Sequence, residues 1–186
     1  MAATAPRPAR YTTVAIVLHW IIAALIIGQL AGGKIMTEMA ATTLKFDLYQ
    51  WHKALGLIIL ALSLARLVWR LTHRPPALDI PQKAWERRLA HLSHWSFYAF
   101  MIGVPLLGWL MVSAAEIAPP TTVFGQFTVP DLPIGNSREA ERLMARLHAV
   151  TAYATAALLV LHVAAAIKHQ RDGHPILSRM SLKTRI

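Results

Sequence analysis

Apolar residues form four runs along the chain, each close to the length that a helix needs to cross a membrane. A spanning helix requires about 20 predominantly apolar residues, and the polar residues that interrupt these runs are mostly histidines. We find no internal repeat, so we expect one domain over residues 1–186, an all-α integral membrane four-helix bundle. The predicted transmembrane helices are Thr13–Ala31, His52–Leu71, Ser93–Ala114 and His148–Ile167.

Composition and charge agree with a membrane protein. Of the 186 residues, 55% are hydrophobic and 15% are charged, whereas an average soluble domain has about 25% charged residues. The N-terminus, the second loop and the C-terminus together carry thirteen basic and three acidic residues, while the first and third loops carry six of each. The positive-inside rule therefore predicts that both termini are cytoplasmic. We interpret the net charge of +10 as a topology signal and expect no nucleic-acid binding.

The N-terminal region has one feature in common with secretory signals, because Arg7 and Arg10 precede an apolar run that ends in small residues. The run is longer than the 7 to 15 residues of a signal h-region. We therefore expect the first helix to stay uncleaved.

The outer loop over residues 115–136 is the longest loop and contains four prolines and two phenylalanines. This composition favours a lid on the membrane surface over a binding site. Asn136 is followed three residues later by Glu139, which is typical of a helix N-cap with a capping box. We therefore expect the fourth helix to begin outside the bilayer.

Four histidines are spaced so that they form two pairs at two depths. His148 and His162 are 14 residues apart, which is about 21 Å along a helix and about 40° short of four full turns, so both lie on one face. His19 lies in the cytoplasmic half of the first helix, and His52 opens the second helix on the outer side. Matching these depths pairs His19 with His162 and His52 with His148.

Two imidazoles per level suit a noncovalent b-type haem, which buries an apolar disc between helices and takes an axial ligand on each side. The chain has no cysteine, which excludes thiolate zinc sites, iron–sulfur clusters and covalent haem attachment. Zinc requires three or four ligands close together. We therefore predict two haems b with bis-histidine ligation. A lone membrane histidine is more often a hydrogen-bonded polar residue, and we place no ligand among His73, His91, His94, His169 and His174. His91 and His94 could face a haem edge or a proton path, or could lie at the interface near Arg88.

Two basic residues are further candidates for cofactor binding. Arg66 lies 14 residues after His52 and therefore shares its face at the level of the cytoplasmic pair; it could neutralise haem propionates or extend to the inner headgroups. Lys53 could meet propionates, an anionic substrate or outer headgroups. Gly103 and Gly108 would permit close approach to a porphyrin or ordinary helix packing.

The chain resembles the bacterial cytochrome b561 family over nearly its whole length. The resemblance rests on the four-histidine pattern and on four motifs: His19-Trp20, Trp51-His52-Lys53, Ala-His-Leu-Ser-His at 90–94 and Leu-His-Val-Ala-Ala-Ala at 161–166. It implies a multi-pass dihaem protein of the bacterial inner membrane that exchanges electrons with the quinone pool, with His19, His52, His148 and His162 as ligands. Some members look like superoxide oxidases that pass the electron to ubiquinone.

We therefore expect a membrane oxidoreductase that transfers single electrons between a periplasmic-side donor, with superoxide as one candidate, and ubiquinone. Two alternatives stay open. The first is a cytochrome b anchor subunit of a larger respiratory complex, such as a hydrogenase or formate dehydrogenase. The second is a haem-free transporter or sensor that uses its histidines for protons or metal. A homodimer and a respiratory partner subunit are both compatible with the sequence.

Overall fold

The computed structural model describes residues 10–76, 83–174 and 176–182. Within these residues, four helices are long and apolar enough to cross a membrane, which confirms the predicted four-helix membrane bundle. The helices are α1 (Thr13–Glu38), α2 (Thr43–Thr72), α3 (Ala84–Ala114) and α4 (Arg138–Arg171).

The helices are longer than the apolar runs that predicted them. The starts of α2 and α4 and the end of α1 extend beyond the predicted spans at one end of the bundle, and α3 begins at Ala84 rather than Ser93. Trp85 and Leu89, which are spaced as an interfacial amphipathic turn among basic residues, lie within α3. Amphipathic turns next to a span therefore extend the helix instead of forming a loop.

Hydroxyl side chains cap three of the four helices. Thr12 Oγ1 accepts a hydrogen bond from the Ala15 amide at the start of α1, and Thr42 caps α2 in the same way. The predicted cap of α4 at Asn136 is wrong by one residue: Ser137 Oγ accepts from the Ala140 amide. The Asn136 side chain instead donates to the backbone oxygen of Ala115 and ties the loop back to the end of α3.

The described terminal segments meet at one end of the bundle, which we call the basic end. The Tyr11 amide donates to the Arg179 oxygen at 3.3 Å, and Trp20 Nε1 donates to the Met180 oxygen at 2.8 Å. Arg179 lies in a short 3₁₀ helix, Leu177–Met180, and its Nη2 donates to the Pro76 oxygen after α2. Four residues of the charge count, Arg7, Asp79, Lys183 and Arg185, lie outside the described residues.

A short hairpin lies at the opposite end, which we call the hairpin end. Strands β1 (Thr121–Val123) and β2 (Phe127–Val129) pair antiparallel, which the sequence analysis did not predict. Phe124 and Gly125 both have positive φ angles, 50° and 69°, as a type I′ turn requires. The ring of Phe124 lies 5.0 Å from that of Trp51 on α2. This contact fixes the unusual backbone of a bulky residue against the bundle.

Helix packing leaves much apolar surface outside. α1 packs against α2, α2 against α3, and α3 against α4, and a small core forms around Ile22, Tyr98 and Met101. Large apolar side chains such as Val160 are more than half exposed. Lipid tails are the natural solvent for such a surface.

Candidate functional site

The hairpin-end pair consists of His52 in the first third of α2 and His148 in α4. Their ring centres are 6.1 Å apart. A metal ion between two coaxial imidazoles separates the ring centres by about 6 Å, because each metal–nitrogen bond is about 2 Å long and each nitrogen lies about 1 Å from its ring centre. The spacing of this pair therefore fits two axial ligands of one metal.

His148 is held in one orientation by α3. Its Nδ1 lies 2.9 Å from the backbone oxygen of Val104. Because a carbonyl only accepts, Nδ1 carries the proton, and the lone pair of the neutral ring is on Nε2, the atom that binds a metal. Gly108 makes this position possible, since a β-carbon there would lie 3.2 Å from both Cε1 and Nδ1 of the ring.

His52 is held by α1 from the other side. Gln29 Nε2 donates to the His52 backbone oxygen at 2.7 Å, and Gly33 faces the ring, with 3.5 Å between a β-carbon built there and Cε1. The Nδ1 atom of His52 is buried with no hydrogen-bond partner among the described residues. His52 therefore lacks the contact to Nδ1 that Val104 gives His148, and its position is set by Gln29 and Gly33 instead.

The basic-end pair consists of His19 in α1 and His162 in α4. Their ring centres are 6.3 Å apart, again the spacing of two axial ligands. Arg66 Nη1 lies 3.0 Å from His19 Nδ1, and because arginine only donates, His19 Nδ1 accepts. Ligation through Nε2 needs a proton on Nδ1, so it requires Arg66 to release His19.

His94 also reaches the basic-end pair, a position that agrees with the haem-edge alternative left open for it by the sequence. Its ring centre lies 6.1 Å from that of His162, and the ring of Phe97 lies 5.2 Å from that of His162 on the same side. His94 and Phe97 are in α3, which packs directly on α4, whereas α1 and α4 share at most sparse contact among the described residues. Direct helix packing explains the nearness of His94. His19 faces His162 from α1, which does not pack closely on α4 among the described residues, so the space between these two rings is our candidate place for a flat macrocycle.

The two basic candidates have contacts of different kinds. Arg66 lies at the level of the basic-end pair, as its spacing from His52 predicts, but its observed partner is His19. Lys53 Nζ donates to the backbone oxygens of Pro119 at 3.0 Å and Pro120 at 3.3 Å. Lys53 therefore ties α2 to the loop before the hairpin, an interaction that the sequence did not indicate.

The facing imidazoles, two at the hairpin end and three at the basic end with His94, fit a bis-histidine porphyrin better than a protein-only metal site. No group of three or more His, Cys, Asp or Glu side chains in the described ranges is arranged to hold a metal ion, and zinc sites need such a group. The residues that sequence reasoning missed are Gln29 and Val104, whereas the role of His94 was left open. For Gln29, the sequence gave one indication, a polar side chain inside an apolar span.

Comparison with known proteins gives a consistent picture. Cytochrome b561 homolog 2 of Escherichia coli (strain K12) is 27% identical to this chain over 179 residues, which cover 93% of this chain and 92% of the relative. The family model described as prokaryotic cytochrome b561 matches residues 10–182. Because this match spans most of the chain, the protein is a bacterial multi-pass membrane protein of haem b electron transfer. The chain belongs to the prokaryotic cytochrome b561 family.

Proposed function

We propose that this chain binds two noncovalent haems b, one between His52 and His148 and one between His19 and His162. The observation that supports the proposal most directly is the matched spacing of the two pairs, 6.1 Å and 6.3 Å between ring centres, at two depths on one face of α4. Family membership favours this function over a haem-free transporter or sensor.

The residues of the chain hold and orient the cofactors. Bound haem supplies reversible one-electron chemistry. The Val104 carbonyl fixes the His148 tautomer, and Gln29 anchors the backbone of His52. At the basic end, Arg66 would have to leave His19 Nδ1, and its guanidinium would then be free to pair with a propionate carboxylate of a bound haem.

The direction of the bundle follows from its charge. We place the basic end in the cytoplasm, since Arg10, Arg66, Arg70 and Arg74 lie near this end and basic residues concentrate on the cytoplasmic side of bacterial membranes. The hairpin end then faces the periplasm, with the His52 and His148 pair at that level. Electrons pass between a periplasmic-side donor and the membrane quinone pool through the two levels.

Superoxide is our candidate donor. Each superoxide gives up one electron and leaves as dioxygen, and two electrons with two protons reduce one ubiquinone to its quinol. Lys53 is engaged by loop carbonyls, so attraction of an anion falls to Arg142 and Arg146, which are exposed on α4 within two turns of His148.

The first experiment measures haem type and stoichiometry of the detergent-purified protein by pyridine haemochrome and reduced-minus-oxidised spectra. We expect two haems b per chain. His52→Ala and His148→Ala should lose the same haem, His19→Ala and His162→Ala should lose the other, and the exposed His91→Ala serves as the matched control. A colourless wild-type protein would contradict the proposal. So would two variants of one predicted histidine pair that lose different haems.

The second experiment tests the donor. At low ionic strength, the rate of superoxide-dependent reduction of a ubiquinone analogue should be about fivefold or more lower in Arg142→Gln/Arg146→Gln than in wild type. At high salt the two rates should converge, because salt screens the electrostatic attraction of superoxide to the arginines. Arg138→Gln is the control, since Arg138 pairs with Glu116 at 3.6 Å. A dihaem protein that is inert towards superoxide and quinol, and that co-purifies with iron–sulfur subunits, would instead assign the chain to a larger respiratory complex.

A further inference from the structure

A pocket at the basic end is lined by four arginines. It has a volume of about 120 Å³ and lies where the start of α1 meets the end of α2. Arg10, Arg66, Arg70 and Arg74 line it, and no aspartate or glutamate among the described residues does. Four guanidinium groups around one small opening need an anionic partner, because like charges otherwise repel.

The arginines have donors to spare. Arg10 Nε is buried with no hydrogen-bond partner among the described residues, and Arg74 makes no ion pair within the part of the chain that the structure describes. Arg70 is held in place by two rings, with its Cζ 5.7 Å from the ring centre of Tyr98 and 5.9 Å from that of Trp95. A planar guanidinium is suited to bind two oxygens of one phosphate at once.

The position of the pocket indicates which anion it takes. Thr12, the N-cap of α1, and His73, the C-cap of α2, both line it, so it lies at the ends of two spanning helices, where headgroups begin. Trp69 forms part of its wall, and tryptophan is typical of this interface. Basic pockets between spanning helices on the cytoplasmic side are a known setting for anionic lipid headgroups.

We propose that this pocket binds the phosphate of an anionic phospholipid from the surrounding bilayer. The pocket is large enough for a phosphate group with a few waters, since a cavity volume of about 10 to 15 Å³ already holds one water, and too small for a whole lipid. The acyl chains lie along the exposed apolar surface of α1 and α2, where Val14 and Val68 face outwards. Arg66, which the proposed function assigns to a haem propionate, also lies in the pocket wall, so we assign the lipid phosphate to Arg10, Arg70 and Arg74.

The test is lipid retention by the full-length purified protein, measured by native mass spectrometry with phosphatidylglycerol and, separately, the zwitterionic phosphatidylcholine. We expect wild type to retain phosphatidylglycerol in preference. Arg10→Gln/Arg74→Gln should weaken that retention about 25-fold, at about fivefold for each charge removed. Arg87→Gln/Arg88→Gln removes the same charge from exposed positions on α3 outside the pocket and should change retention less than twofold.

Further arms distinguish other sources of the anion. Arg10→Lys/Arg74→Lys should keep most of the retention, which shows that a loss in the glutamine variant is not misfolding. Inorganic phosphate that displaces phosphatidylglycerol at millimolar concentration would identify a free-phosphate site and overturn the lipid assignment. A tenfold gain in Asp79→Asn would indicate that this acid fills the pocket, and equal losses in the two glutamine pairs would indicate a diffuse surface effect; either overturns the proposal. A phosphorus assay on the same samples measures bound phospholipid without any contribution from haem, because haem contains no phosphorus.

Discussion

The imidazole of His148 packs directly against Gly108: a β-carbon at position 108 would lie 3.2 Å from both Cε1 and Nδ1 of the ring. The same ring donates to the oxygen of Val104, one turn earlier on α3. The backbone of α3 therefore positions a side chain of α4. Sequence reasoning gave ordinary packing and close approach to a porphyrin equal weight at Gly108, and the observed contact is with the histidine.

We predict that Gly108→Ala removes the haem held by His52 and His148 while Gly103→Ala does not. The new methyl group would displace the His148 ring from Val104, and the loss of such a supporting contact typically costs about 10- to 100-fold in metal affinity. Gly103 is the matched control because it is in the same helix and no atom of the described residues lies within 4 Å of a β-carbon built there. The measurement is haem stoichiometry with the spectrum of each haem. Equal haem content in both variants would show that the Val104 contact is not needed.

His94 gives a sharp test of the pairing at the basic end. Its ring is as close to His162 as the ring of His19 is, 6.1 Å against 6.3 Å between centres. If His19 is the ligand, His94→Ala keeps both haems and shifts only the spectrum or midpoint potential of the basic-end haem, whereas His19→Ala loses that haem. The opposite result would make His94 the ligand and α3, not α1, the partner of α4.

The sequence predicted the helices and the depths of the histidines but not how the helices are rotated against each other. Apolar runs interrupted by few polar residues are easy to recognise, and the direction of each helix sets the depth of His19 or His148. A helix that is apolar all round carries no stripe that says which side meets which neighbour. For that reason the approach of His94 to His162, and the bond from Gln29 to His52, could not be predicted. The hairpin was missed because its strands have three residues each and are held by side chains of α2.

Gln29 should contribute to stability as well as to the position of His52. Its amide donates to the His52 oxygen at 2.7 Å inside the bundle, and interhelical hydrogen bonds in membranes contribute about 0.6 kcal/mol on average and up to about 1.7. Gln29→Leu should lower the free energy of unfolding by about 1 kcal/mol, measured by denaturation in mixed micelles. Gln126→Leu, at an exposed position in the hairpin turn, is the control. A Gln29→Leu protein as stable as wild type would mean that leucine packing compensates for the lost bond.

Lys53 should fix the hairpin to the bundle. Its ammonium donates to the oxygens of Pro119 and Pro120, while Gln50 Nε2 donates to Pro120 at 3.2 Å. Hydrogen bonds with a charged donor contribute about 1.5 to 3 kcal/mol, and partial exposure reduces this to about 1 kcal/mol. Lys53→Gln should therefore speed amide hydrogen exchange in the hairpin, residues 121–129, about fivefold.

The control for Lys53 is Lys34→Gln, because Lys34 is an exposed lysine that pairs with Glu38 at 2.6 Å on its own helix and does not contact the hairpin. Exchange in the hairpin should match wild type in this variant. The haem spectrum separates the two roles that the sequence left open for Lys53. Faster exchange with an unchanged spectrum identifies Lys53 as the anchor of the hairpin, whereas unchanged exchange with a shifted hairpin-end haem would mean that the ammonium leaves the loop and binds a propionate when haem is present.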